Sequence, residues 1–75
     1  MRFDAYSNSE ITDAINSVIS NKYDQYIIYS RLVCEKTWSD LFIFSIESKR
    51  NYERLCLKVF KKLEEINKEK TNDDG

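Results

Sequence analysis

The sequence predicts a small α+β domain in which two helices cover one face of a two- or three-stranded antiparallel sheet. Three observations support this: a helix-start signal before a periodic apolar run, two short runs rich in aromatic and β-branched residues, and a second, longer periodic run. The element order is then β-α-β-β-α, or α-β-β-α if the first strand does not form. Periodicity alone does not separate strand from helix in short apolar runs, so an all-α bundle is the alternative.

The first two elements lie between Met1 and Asn21. Residues Met1–Tyr6 alternate apolar and polar side chains, which predicts a short strand. Ser7 and Glu10 then form a Ser-x-x-Glu capping box, the signal of a helix N-terminus. Apolar residues follow at helical spacing: Ile11, Ala14, Ile15, Val18 and Ile19. These features predict a helix from about Ser9 to Asn21.

The central strands are predicted at Tyr26–Cys34 and Leu41–Ile46, because aromatic and β-branched residues dominate both runs. The connecting segment is polar apart from Trp38 and predicts a loop. A second helix is expected from about Lys49 to Lys68. Its predicted buried stripe consists of Tyr52, Leu55, Cys56, Val59, Phe60, Leu63 and Ile66. Residues 1–68 would form one domain, and residues 69–75 a disordered charged tail.

Two helices cannot cover both faces of a sheet, so one apolar face should remain open. Alternate strand residues lie on opposite faces, and neither face of these strands is uniformly polar. An exposed apolar patch usually marks an interaction site. The predicted partner-binding face, with the aromatic residue of the following loop, consists of Ile27, Tyr29, Arg31, Val33, Trp38 and Ile43. Its exposure predicts self-association or contact with another protein.

Basic residues are concentrated at the start of the last helix. Residues 49–62 contain six basic side chains and one acidic side chain, although the whole chain has a formal net charge of −1. Arg50, Arg54, Lys58 and Lys61 recur at helical spacing and form a basic stripe, which Lys49 precedes. Cations at a helix N-terminus oppose the helix dipole, so a binding role is one explanation and a solvated face is the other.

The start of this helix resembles a known RNA-binding element. Ser48-Lys49-Arg50, followed by Arg54 and Lys58, is similar to the basic start of the last helix in double-stranded-RNA-binding domains. The resemblance implies phosphate contacts from these side chains. It covers only this short segment, and the chain lacks that family's full set of strands and its glycine-bearing loop.

Composition excludes several other functions. Histidine is absent, and the single glycine is Gly75, so no histidine base and no glycine-rich phosphate loop can form. Cys34 and Cys56 lack metal-site spacing and are expected to be reduced core residues. No metal, cofactor or catalytic residue is therefore predicted. No run approaches the ~20 apolar residues of a membrane span, so no membrane contact and a cytoplasmic location are expected.

The sequence thus favours a small non-enzymatic protein-binding module. The expected role is that of an inhibitor or accessory factor, of the kind that phages and plasmids encode, which forms a homodimer or blocks a protein partner. Nucleic-acid binding, of RNA above all, through the basic stripe is the alternative.

Overall fold

The computed structural model describes residues 5–72, with side chains described for residues 5–68. Within these residues the chain forms three α-helices that all contact one another: α1 (Asn8–Val18), α2 (Lys22–Leu32) and α3 (Ile46–Asn72). No strand occurs within residues 5–72, so the predicted α+β class is wrong and the alternative, an all-α bundle, is confirmed. Most of the strand predicted at Met1–Tyr6 lies outside the described residues.

Helix α1 begins at the predicted capping box. The Glu10 amide donates to Ser7 Oγ at 3.1 Å, and the Ser7 amide donates to Glu10 Oε1 at 3.0 Å. Each bond satisfies an amide that a helix start leaves without an intrahelical partner. The helix ends where Ile19 adopts an extended backbone conformation. The predicted start is therefore confirmed, and the helix is slightly shorter than expected.

Helix α2 replaces the strand predicted at Tyr26–Cys34. It is capped by Asn21, whose Oδ1 accepts a hydrogen bond from the Asp24 amide at 3.0 Å. Ile27 and Ile28 are buried, whereas the side chain of Tyr26 is 59% exposed. Tyrosine has an apolar ring and a polar hydroxyl, so it can occupy the solvent side of a helix. Because tyrosines occupy that side, the sequence of α2 lacks a clear polar side and resembles a strand rich in aromatic and β-branched residues.

The second predicted strand, Leu41–Ile46, is replaced by the end of a loop. Residues 38–42 form a single helical turn that closes as a Schellman motif, with bonds from the Ile43 amide to the Trp38 carbonyl (2.9 Å) and from the Phe42 amide to the Ser39 carbonyl (3.0 Å). Phe42 has a φ of 57°, the left-handed conformation of this motif. The alternation in the sequence is real, since Leu41 and Ile43 are buried and Phe42 is exposed, but it arises in a loop.

Two hydrogen bonds between Thr37 and Asp40 stabilise the start of this turn. The Thr37 amide donates to Asp40 Oδ2 at 3.0 Å, and the Asp40 amide donates to Thr37 Oγ1 at 3.1 Å. Hydrogen bonds from Thr37, with a smaller contribution from the charge of Lys36, hold the pKa of Asp40 below its usual value. The loop between α2 and α3 is therefore a structured element and not a flexible linker.

Helix α3 begins earlier than predicted. The Ser48 amide donates to Ser45 Oγ at 3.1 Å, and the helix starts at Ile46 instead of Lys49. Val59 and Leu63 of the predicted stripe are buried, and its other members are half-buried. The helix continues through residues 69–72, and the charged tail stays a prediction for residues 73–75, which lie outside the described part.

The core has two parts. The larger cluster contains Ile11, Ala14, Ile15, Ile19, Ile28, Val59 and Leu63, from all three helices. The smaller cluster joins Ile27 of α2 to Leu41 and Ile43 of the loop. Tyr52 packs against both clusters. The loop is thereby fixed to the bundle by its own apolar residues.

Candidate functional site

The predicted binding face is not assembled in the structure. Ile27 is 1% exposed and Ile43 is 8% exposed, and the two residues pack together in the smaller core cluster. Val33 packs against the larger cluster. Of the four apolar residues that the prediction placed on the sheet face, Ile27, Tyr29, Val33 and Ile43, only Tyr29 is exposed. The prediction of an uncovered sheet face is wrong, because no strands form there and Ile27 and Ile43 are buried between a helix and the loop.

Arg31 and Trp38, the other two predicted site residues, hold the loop in place. The guanidinium carbon of Arg31 lies 4.1 Å from the centroid of the Trp38 ring, a cation–π geometry, and its Nη1 donates to the Lys36 carbonyl at 2.7 Å. The Trp38 ring stacks on Tyr52 of α3, with centroids 6.3 Å apart. These contacts connect the loop to α2 and α3.

A group of exposed apolar side chains lies instead at the end of the loop. Phe42 is 82% exposed, Phe44 is 66% exposed and Ile46 is 68% exposed. These three residues, named here the Phe42–Ile46 edge, project from the loop and the first turn of α3. The alternation of Leu41 to Phe44 did indicate two sides, but only the packing against Ile27 decides which side is buried.

The side chain of Phe42 is exposed to solvent, and its backbone also has an unfavourable conformation. The left-handed region costs a residue with a Cβ atom roughly 1–2 kcal/mol, and helix ends usually place glycine at this position. Phe42 also belongs to neither core cluster. Its large side chain therefore adds no core packing to offset that cost.

The residues of the basic stripe lie along α3. Arg50, Arg54, Lys58 and Lys61 are all exposed, whereas Lys49 is half-buried. The predicted conflict with the helix dipole is smaller than expected. Because α3 starts at Ile46, its first turn carries Glu47, and the cations begin one turn later.

A shallow groove of about 500 Å³ connects the Phe42–Ile46 edge to the basic stripe. It is lined by Ile46, Glu47, Arg50, Asn51 and Arg54. One apolar residue and two cations thus line the same groove on the outer side of α3, together with Glu47. A second groove, of about 350 Å³, lies between α2, the loop and α3, and Trp38, Cys56 and Leu57 are among its lining residues.

The two cysteines differ in their surroundings. Cys34 is exposed, so the expectation that it belongs to the core is wrong, whereas Cys56 is half-buried. Burial, reinforced by the charge of Glu53 and opposed by that of Arg31, raises the pKa of the Cys56 thiol to about 11. Among the described residues, no cluster of three or more potential metal ligands occurs.

We expect iodoacetamide at pH 8 to modify Cys34 first. Alkylation requires the thiolate, and a raised pKa combined with burial should slow the reaction at Cys56 by roughly a hundredfold in the folded chain. Peptide mass spectrometry over time measures both rates, with the urea-unfolded chain as the control. Equal rates in the folded chain would contradict the described position of Cys56.

No described helix is both long enough and apolar enough to cross a membrane. Comparison with known proteins finds no matching family model, no matching characterised protein and no matching solved structure.

Proposed function

We propose that this chain is a non-enzymatic protein-binding module, acting as an inhibitor or accessory factor, which presents the Phe42–Ile46 edge to a partner protein. The exposure of Phe42 in a left-handed conformation is the observation that carries this proposal. A local feature that reduces stability without a compensating contact is more often retained for binding than for folding.

The edge has the properties of a preorganised anchor. Large apolar side chains that enter a pocket of the partner supply most of the energy at many interfaces. The backbone that carries Phe42 is fixed by the Thr37–Asp40 hydrogen bonds and the Schellman motif, and Ile43 anchors it in the core. Little conformational entropy remains to be lost on binding, which favours affinity.

Replacement of Phe42 by glycine tests the proposal. Glycine adopts the left-handed conformation without a Cβ penalty, so the free energy of unfolding should rise by up to about 1 kcal/mol. Affinity for the partner should nevertheless fall at least about tenfold, because the anchor is lost. The measurements are thermal unfolding, crosslinking capture from the native cell with quantitative mass spectrometry, and titration of the purified captured protein.

Tyr26→Ala is the matched control, since it removes an exposed aromatic ring from a different surface. This variant should keep the affinity of the parent. A captured protein that binds Phe42→Gly and Phe44→Ser as tightly as the parent would refute the proposed function. A self-associating chain would show the partner to be a second copy, and sedimentation of the parent and of Phe42→Gly identifies that case.

RNA binding through the basic stripe is the second candidate function. It is favoured by four exposed cations on one face of α3. With four phosphate contacts, the logarithm of the affinity should fall with the logarithm of the salt concentration at a slope of about −3 to −4. Binding of structured RNA with that slope, unchanged by Phe42→Gly, would favour this candidate over protein binding.

A further inference from the structure

Two exposed apolar residues, Ile46 and Leu57, lie beside the basic stripe on the outward side of α3. They are eleven positions apart, about three helical turns, so they lie on the same side of the helix, and the exposed Glu53 lies between them. Arg50 and Lys61 are also eleven positions apart, and Arg54 and Lys58 lie between them. The apolar pair and the basic stripe therefore each extend over about 16 Å. Both begin at the groove beside the Phe42–Ile46 edge.

We infer that the ligand on this side is an acidic amphipathic helix of the partner protein. It lies along α3 with its apolar side on Ile46 and Leu57 and with its carboxylates against the basic stripe. This inference rests on the proposed function and names the chemistry of the partner, since the same helix would reach Phe44 and Phe42 at one end.

The spacing of the cations supports a helical ligand. Arg50, Arg54 and Lys58 recur at every fourth residue, so their backbone positions rise by about 6 Å each. Carboxylates at every third or fourth residue of a second helix have nearly the same spacing, which allows successive pairs across the interface. Such pairs at a partly solvated rim direct orientation and association rate.

Glu47 distinguishes a protein ligand from a uniformly anionic one. This acidic residue lines the groove together with Arg50 and Arg54. A phosphate backbone or an anionic membrane would bring negative charge to every point of this surface and would be repelled by Glu47. A helix with discrete side chains can place a basic or neutral residue at that point. Charge complementarity therefore favours the acidic helix.

A synthetic peptide tests this inference without the natural partner. The probe is a helix of about 18 residues with leucine on one side and glutamate on the other, and the matched peptide has glutamine in place of every glutamate. We expect the chain to bind the acidic peptide at least about tenfold more tightly than the glutamine peptide, with a preference that decreases as salt is added. Calorimetry gives the affinities, and amide chemical shifts should locate the peptide at Ile46, Leu57 and the stripe.

Paired charge reversals locate the binding surface. Arg54→Glu combined with Lys58→Glu should reduce the affinity for the acidic peptide at least about tenfold. Lys22→Glu combined with Lys36→Glu is the matched control, because it changes the net charge equally at exposed positions outside α3 and should retain the affinity. Circular dichroism checks that both variants remain helical.

Equal affinity for the two peptides, or equal losses in the two charge-reversed variants, would overturn the inference. So would binding of a structured RNA, or of vesicles containing phosphatidylserine, through the stripe in the absence of peptide binding. If the peptide fails while capture of the natural partner still depends on Phe42, then the acidic-helix inference is wrong and the proposed function stands. If capture depends on neither Phe42 nor Phe44, the proposed function fails whatever the peptide does.

Discussion

Ile27→Ala should lower the free energy of unfolding by about 2–5 kcal/mol, the cost of truncating a buried isoleucine and leaving a cavity. A chain of 75 residues is expected to have only about 4–11 kcal/mol of stability. A large fraction of the chain's cooperativity and thermal stability should therefore be lost. The side chain contacts Leu41 and Ile43, so the loop should loosen together with α2.

Tyr26→Ala, at the neighbouring position, is the control for this experiment. Its side chain is largely in solvent, so the expected change is within about 0.5 kcal/mol. Urea unfolding followed by circular dichroism measures both variants. If Ile27→Ala unfolds at the same urea concentration as Tyr26→Ala, Ile27 is on the surface, as the two-stranded sheet would require. That result would contradict the helical packing.

Tyr52→Ala should reduce the free energy of unfolding by about 3 kcal/mol, because the ring packs against both core clusters and stacks on Trp38. Tyr52→Phe separates the ring from the hydroxyl. It keeps the packing and removes only the hydrogen bond from the hydroxyl to Asp24 of α2, so a loss of about 1 kcal/mol is expected.

The dependence on pH provides a second measurement on Tyr52. Burial, together with the nearby charge and hydrogen bond of Asp24, raises the pKa of the Tyr52 hydroxyl above its ordinary value of about 10. The neutral phenol is therefore the form that the folded chain favours. Its contribution to the free energy of unfolding is complete below pH ~10 and is lost as the pH rises through the raised pKa. Tyr52→Phe should lack this alkaline loss, and an identical alkaline profile in both proteins would show that Tyr52 is solvated.

Local signals in the sequence were sufficient for two of the three helices. The capping box at Ser7 and Glu10 fixed the start of α1, and the long apolar stripe through Val59 and Leu63 identified α3. The prediction failed for α2 because surface tyrosines concealed its polar side. Asn21 caps α2 through the Asp24 amide, as Ser7 caps α1, but an asparagine without a capping box is a weaker signal. This cap is the feature of the sequence that could have indicated α2.

The candidate site was predictable only in part. Cations at helical spacing identify the exposed stripe without reference to any other element. The apolar surface is different, because its position depends on which element covers which side of the Leu41–Phe44 segment. That choice is made by the contact of Leu41 and Ile43 with Ile27, a tertiary interaction between residues remote in the chain, which spacing alone cannot reveal.

Trp38 also provides an intrinsic fluorescence probe of the loop between α2 and α3. It is the single tryptophan, and its ring contacts the Arg31 guanidinium and stacks on the Tyr52 ring. Emission excited at the red edge of the indole band therefore comes from the loop alone, whereas far-ultraviolet ellipticity comes almost entirely from the three helices. Agreement of the two signals during unfolding would mean that loop and bundle melt as one unit. An earlier change in the emission would show that the segment bearing Phe42 detaches while the bundle is still intact.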